Sequence, residues 1–246
     1  MIERTVDITT PDGVAEAVFY QPEGGGPWAG VIHLTDISGI RDSQRQMAQR
    51  VASLGYVVLM PNVFYRSGRP PLFDAPFKAG DERSMKRLAE LAGPLTAEAM
   101  ARDAAAYVDF LAAHDAVRKP AAIGVVGYCI TGRMALLAAA ERPGVVKAAA
   151  SFHGASLCTD APTSPHLALP RVRARLYFGH ATNDRGMNAE AIEKFNAALA
   201  AWGGKFESEV YEGASHGWTV PGSPVYNQPQ AERAFAKLKE LFAETL

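Results

Sequence analysis

The stretch VVGYCITG, residues 125 to 132, sets a cysteine between a β-branched apolar run and a glycine, where a buried strand should stop. Gly127 and Gly132 suit a sharp strand-to-helix turn, because the backbone there is crowded and the new helix must pass close to its neighbours. A side chain at the tip of such a turn is exposed, and at a helix N-terminus the positive end of the dipole favours thiolate over thiol. Cys129 is therefore either a small core residue or a nucleophile, and the glycine spacing alone leaves both open. Two later residues bear on the choice. RLYFGHATNDRG supplies Asp184 beyond a strand end, and SEVYEGASHGW supplies His216 after the last strand, each in a small-residue, turn-prone context. A histidine within reach of a thiol can take its proton and later help deliver water, and a carboxylate behind it holds the imidazole in the useful tautomer.

The elements that must position these residues read as strands alternating with helices. VAEAVFY, WAGVIHL, YVVLMP, AIGVVGY, VVKAAASFH, RVRARLYFGH and FESEVYEG are short apolar or alternating runs, several of them apolar on both parities, as strands covered on both faces of a parallel sheet are. A hairpin turning near PDG predicts an antiparallel edge at the N-terminus. From Thr96 to about Asp115, Met100, Ala104, Tyr107, Val108 and Leu111 form one helical stripe with Thr96 as N-cap. Ile192, Phe195, Leu199 and Trp202 form a second stripe, starting at Asn188 and stopped by Gly203 and Gly204, and Phe235, Leu238 and Phe242 form a third. Alternation of this kind implies right-handed crossovers and helices on both faces. Ten of the 16 prolines lie in residues 61 to 76, 162 to 170 and 221 to 229, three irregular segments that each follow a strand. In open α/β sheets ligands bind at the carboxyl ends of strands, so that edge is where a site belongs.

Nucleophile, acid and histidine in that order is the chain order of an α/β hydrolase. GYCITG, GHATND and EGASHGW, taken over nearly the whole chain, resemble the dienelactone hydrolase family, cysteine hydrolases with an α/β-hydrolase fold. The resemblance implies Cys129 as nucleophile, His216 as base and Asp184 as its orienting acid. It implies a further acid in LTDISGI, where Asp36 replaces a glutamate that in the family contacts the resting nucleophile and couples thiolate formation to substrate arrival; Asp36 is one methylene shorter. The backbone N–H groups of Ile37 and Ile130 match the family's oxyanion hole, a large catalytic term. Thr131 stands where the family has the first of two paired glycines, which would loosen the turn or narrow the pocket. Arg83, in DERSMK, matches one of two arginines that grip a substrate carboxylate, while Val220 stands where the other belongs. An apolar side chain does not replace a guanidinium there. The expected substrate is thus an activated ester or lactone, an enol lactone or aryl ester, with dienelactone itself less favoured. The alternative from another class is a non-hydrolytic small-molecule-binding or thiol-redox protein on the same fold, since Asp36 and Val220 are places where catalysis could have drifted. A nucleophile at Ser215 or Thr131 is a third reading, and neither sits at the tip of the turn.

The totals fit one domain over residues 1–246, which buries roughly 70–75 % of its unfolded surface without disulfides or structural metal. With 25 bases, 26 acids and a formal charge of -1, no nucleic-acid or membrane-surface partner is expected. Glu3, Arg4 and Asp7 stand where a secretory signal needs apolar residues, and no apolar run has the length of a membrane span, so a cytoplasmic protein is expected. Two cysteines, Cys129 and Cys158, make a poor disulfide framework. His33, His153, His180 and His216 all end strands on one edge but lack the short-spaced pairing of zinc motifs, so no metal is expected. Of these, His33 reads as core, and His153 and His180 read as pocket lining, with Tyr65, Phe73 and Trp218 as further pocket walls. The absence of GxxxxGK[ST] and of a strand-linked GxGxxG argues against a nucleotide cofactor. The expected partner is a small-molecule substrate, with no cofactor, and the protein a monomer or small homo-oligomer.

Overall fold

Stretches that are apolar on both parities need cover on both faces, and they form the middle of the sheet. The computed structural model describes residues 1–75, 77, 78 and 80–246; Pro76, in the first proline-rich segment, and Ala79 lie outside the described residues. In chain order the elements are β1 (Ile2–Thr10), β2 (Gly13–Gln21), β3 (Gly30–Leu34), α1 (Asp42–Ala52), β4 (Val57–Pro61), α2 (Glu82–Ala92), α3 (Ala97–Ala113), β5 (Ile123–Tyr128), α4 (Gly132–Glu141), β6 (Val146–Phe152), β7 (Arg175–Asn183), α5 (Ala189–Trp202), β8 (Phe206–Ser215) and α6 (Gln228–Thr245). The eight strands lie in the order β1-β2-β4-β3-β5-β6-β7-β8. β1 and β2 form the expected antiparallel hairpin at one edge and β2 joins β4 antiparallel, whereas β4, β3, β5, β6, β7 and β8 run parallel.

Alternation along β5 divides the core. Ile123 and Val125 face the layer of α3, α4 and α5, and Val126 and Tyr128 face α1 and α6. The three stripes read from sequence are the buried faces of α3, α5 and α6, and each fully buried Leu or Phe among them contributes about 2 kcal/mol. Their ends are capped as expected: Thr96 Oγ1 accepts from the Ala99 N–H at 3.2 Å and Asn188 Oδ1 from that of Ala191 at 2.9 Å. Gly203 closes α5 in the left-handed region at φ 72°. α4 is buried nearly all round, as a helix wedged between the sheet and α3 must be. Among the described residues no helix is long and apolar enough to cross a membrane.

The loop after β4 is tied down by a buried carboxylate. Asp103 on α3 is fully buried, and Arg66 donates to both its oxygens at 2.6 and 2.9 Å while also reaching Asp12 in the β1–β2 turn. The Tyr65 hydroxyl donates to the same carboxylate at 3.0 Å and meets Thr10 Oγ1 at 2.7 Å. Tyr65 is therefore a brace between the hairpin and α3 rather than the pocket wall that its place in a proline-rich loop suggested.

The two glycines of the Cys129 turn are required by contact. A Cβ on Gly127 would sit 2.3 Å from the Thr131 carbonyl oxygen, and one on Gly132 would sit 2.2 Å from Ser151 Oγ and 2.8 Å from the Gly154 Cα. Gly127→Ala is expected to cost roughly 3 kcal/mol, the upper end of overpacking costs, because the atoms it meets are backbone. Gly144→Ala, which meets nothing within 4 Å, should change stability by less than about 0.5 kcal/mol. Urea denaturation of the two variants checks this, and equal midpoints would contradict it.

Candidate active site

Two pairs of adjacent strands deliver the chemistry. Tyr128 and Phe152 are register partners at the ends of β5 and β6, so Cys129 and His153 leave the sheet side by side. Both adopt the left-handed region, at φ 57° and 42°, although neither is glycine. Such a conformation costs about 1–3 kcal/mol per residue and persists only where the surroundings over-determine it. Here they do: the Cys129 N–H donates to His153 Nδ1 at 3.1 Å, the Cys129 carbonyl accepts from the Ala155 N–H at 3.3 Å, and the His153 N–H donates to Gly179 O at 2.8 Å. On the other side, Asn183 and Ser215 are register partners at the ends of β7 and β8, so the next residues, Asp184 and His216, start as neighbours.

The three side chains named from chain order are joined. His216 Nδ1 lies 2.7 Å from Asp184 Oδ2, and His216 Nε2 lies 3.1 Å from Cys129 Sγ. Asp184 is almost fully buried, and its other oxygen accepts from the Gly186 N–H at 2.8 Å. An ionised carboxylate only accepts, so Nδ1 carries a proton. Burial pulls His216 downward, but its hydrogen bonds to Asp184 and Cys129 outweigh burial and raise it to about 10. His153, by contrast, is held well below the ordinary imidazole value by burial and by the nearby His216, and is neutral. Cys129 is half-buried, open enough to be reached.

Thr131 is buried, and its hydroxyl accepts from the Tyr128 N–H at 3.0 Å and lies within bonding reach of the Leu34 and Tyr128 carbonyls. It stitches the turn to the end of β3, where a looser turn or a narrower pocket was expected. Among the described residues the N–H groups of Ile37 and Ile130 donate to no protein acceptor. Arg133, the second residue of α4, is pulled below the ordinary guanidinium range by burial, with the nearby Cys129 acting the other way.

Comparison with known proteins gives the family and the fold. The profile of the dienelactone hydrolase family matches residues 15–246. The chain belongs to that family. A Synechocystis protein whose name proposes carboxymethylenebutenolidase activity is 27% identical over 248 residues, covering 99% of this chain and 98% of its own. The carboxymethylenebutenolidase of Rhodococcus opacus is 28% identical over 199 residues, 79% of this chain and 73% of its own. A proposed dienelactone hydrolase from Klebsiella pneumoniae superposes with a TM-score of 0.86 at 22% identity over 98% of both chains, a likeness of fold, here the α/β-hydrolase fold.

Several residues matched to family positions lie elsewhere than expected. Arg41 grips both oxygens of Asp36, at 2.6 and 2.7 Å, and Gln44 Nε2 and the Ser38 N–H add further donors. With its carboxylate so occupied, Asp36 makes no hydrogen bond to Cys129 among the described residues. Arg83 is 85% exposed in the first turn of α2, which Asp81 caps, and is paired with the equally exposed Asp74. The cavity of about 530 Å³ that it lines with Phe73 and Arg87 has no wall from Cys129, Asp184 or His216. Trp218 is fully buried against Tyr211 and His153, a core residue and no pocket wall. His153 and His180 are likewise buried, His180 between Phe178 and Phe195, so neither lines an open pocket. His33 is core as expected, bonded to Gln44 at 2.8 Å and pushed down to about 4 by burial. Sequence reading passed over Arg41, Gln44, Arg133 and Thr219; only Arg41, five residues after Asp36, left a signal, as a basic partner on the same loop.

The raised His216 carries a consequence for stability. A folded value of about 10 against an ordinary value near 6.5 stabilises the fold fully below about 6.5, and this contribution is lost as pH rises through about 10. Asp184→Asn removes the anion that supports the proton. The stability gap between wild type and this variant should therefore be wider at pH 6 than at pH 10.5. Urea midpoints at the two pH values measure it, and an equal gap would contradict the assignment.

Proposed function

We propose that the protein is a cysteine hydrolase that opens an activated ester or lactone through a thioester, with Cys129 as nucleophile, His216 as base and acid, and Asp184 orienting the imidazole. The observation that carries this is the linked line from Asp184 Oδ2 to His216 and on to Cys129 Sγ, at 2.7 and 3.1 Å. With His216 raised to about 10, its Nε2 holds the thiol proton before substrate arrives, and the sulfur pair attacks the substrate carbonyl carbon. The π pair moves to oxygen, where the free N–H groups of Ile37 and Ile130 stabilise it as two preorganised donors. The carbonyl re-forms as the C–O bond to the leaving group breaks, and His216 returns its proton to the departing oxygen. Water then attacks the thioester carbonyl with His216 taking its proton, the C–S bond breaks, and the thiol is regenerated with the acid product.

Thiolate is itself a good leaving group, so the tetrahedral intermediate returns to reactants unless the alcohol departs readily. That favours enol lactones and aryl esters over alkyl esters and amides. In this chain Asp36 serves the oxyanion loop instead of gating the thiol: its carboxylate accepts from Ser38 and its carbonyl from the Gly39 N–H at 3.0 Å, which fixes the backbone that presents Ile37.

Cys129→Ala should abolish the p-nitrophenolate burst on p-nitrophenyl acetate and lower turnover by roughly 10³-fold or more; wild-type turnover would remove the nucleophile assignment. Asp36→Asn should slow acylation roughly 10-fold through the displaced oxyanion donor while leaving the pH profile of iodoacetamide alkylation in place. A shifted alkylation profile would instead restore the gating role. On a panel of lactones and aryl esters with and without a carboxylate, Arg83→Ala should match wild type throughout, and a loss confined to the acidic members would show that Arg83 reaches substrate.

A further inference from the structure

His153 is 1% exposed and the hydrolysis steps above make no use of it, yet it contacts all three segments that carry the linked residues. Its main-chain N–H is pinned to Gly179 on β7, the strand that ends at Asp184. Its ring makes two more bonds. The Cys129 N–H donates to Nδ1 at 3.1 Å, and a backbone amide has no lone pair to offer, so Nδ1 must be the bare nitrogen. The proton therefore resides on Nε2, which donates to Thr219 Oγ1 at 2.8 Å. Thr219 lies in the same turn as His216, closed by the Trp218 and Val220 N–H bonds to Ser215 and Gly217. The ring also stands edge-on to His216 and Trp218, with centroids 5.1 Å from each, and so fills the wedge between the two loops.

We propose that His153 is a positioning residue: through one fixed tautomer it bridges the Cys129 amide to Thr219 and thereby sets the separation between the Cys129 sulfur and His216 Nε2. The proposal rests on the cysteine-hydrolase reading. It explains why a histidine stands in a left-handed position where asparagine or glycine is easier. Asparagine places an acceptor at the reach of Nδ1 but no donor at the reach of Nε2, and glutamine does the reverse; only the neutral imidazole holds both ends. The bridge also occupies the Cys129 N–H behind the nucleophile, while among the described residues the Ile37 and Ile130 amides donate to no protein acceptor. A neutral ring is part of the device, since a second positive charge beside His216 would oppose its protonation.

The test is a double-mutant cycle with His153→Asn and Thr219→Val, read as the burst rate constant on p-nitrophenyl acetate at saturating substrate, per folded molecule. Each single variant should slow the burst roughly 10- to 100-fold, with KM little changed, because a small displacement of reacting groups is enough. The double variant should be no slower than either single, since both break one bridge. Thr219→Ser, which keeps the hydroxyl, should stay within about 3-fold of wild type, the conservative variant preserving the bridge. Nitrogen NMR of the imidazoles at pH 7 should show His153 as the neutral Nε2–H tautomer. A merely structural role would lower the urea midpoint and leave the burst of the folded fraction unchanged. An unchanged burst in Thr219→Val, additive losses, or an Nδ1–H tautomer would each overturn the bridge. Cys129→Ala run alongside separates the failures: if it keeps the burst, the nucleophile reading falls, and if it loses the burst while the cycle is flat, only the bridge falls.

Discussion

A cysteine forced into the left-handed region at the end of a buried parallel strand is the constraint on which the rest of the site depends. The conformation turns the sulfur out of the sheet and the following amides toward a helix start, and it survives only because neighbours hold it. Gly127 and Gly132 give the crossing its space, Thr131 stitches it to β3, and His153 takes the Cys129 N–H. None of these contacts is local to one element. The contacts to Leu34 and His153 exist because parallel register puts the end of β5 beside the ends of β3 and β6.

Electrostatics divides the two histidines of the site into opposite roles. His216 is partly exposed and backed by a buried carboxylate, so it gains a proton; His153 is sealed and has no anion, so it stays neutral. That separation lets two imidazoles stand 5.1 Å apart without competing for charge. The same logic applies to Asp36: Arg41 on its own loop takes both carboxylate oxygens with two short bonds, and a carboxylate so paired exerts a weaker field on its surroundings.

Much of this was legible in sequence where a pattern maps onto a period or a cap. The stripes of α3, α5 and α6, the caps at Thr96 and Asn188, the hairpin and the order Cys129, Asp184, His216 all fall in this class. α2 went unread although Met85, Leu88 and Leu91 recur at helical spacing; its apolar face is thin, and only Leu91 of its 11 residues is buried. Trp218 and Tyr65 read as pocket walls since an aromatic in a loop carries no sign of which way it turns; a turn after β8 sends one inward and the Asp103 carboxylate captures the other. Arg83 matched a family position, but the cap at Asp81 sets a helix start that faces water. The link from Cys129 through His153 to Thr219 spans residues far apart in the chain, and only register brings them together.

The proposed chemistry turns on a covalent bond to one sulfur. Acid quenching during turnover of p-nitrophenyl acetate, followed by peptide mass spectrometry, should find the mass of one acetyl group on the peptide carrying Cys129. Acetyl on a different residue, or sustained turnover with position 129 never modified, would contradict it.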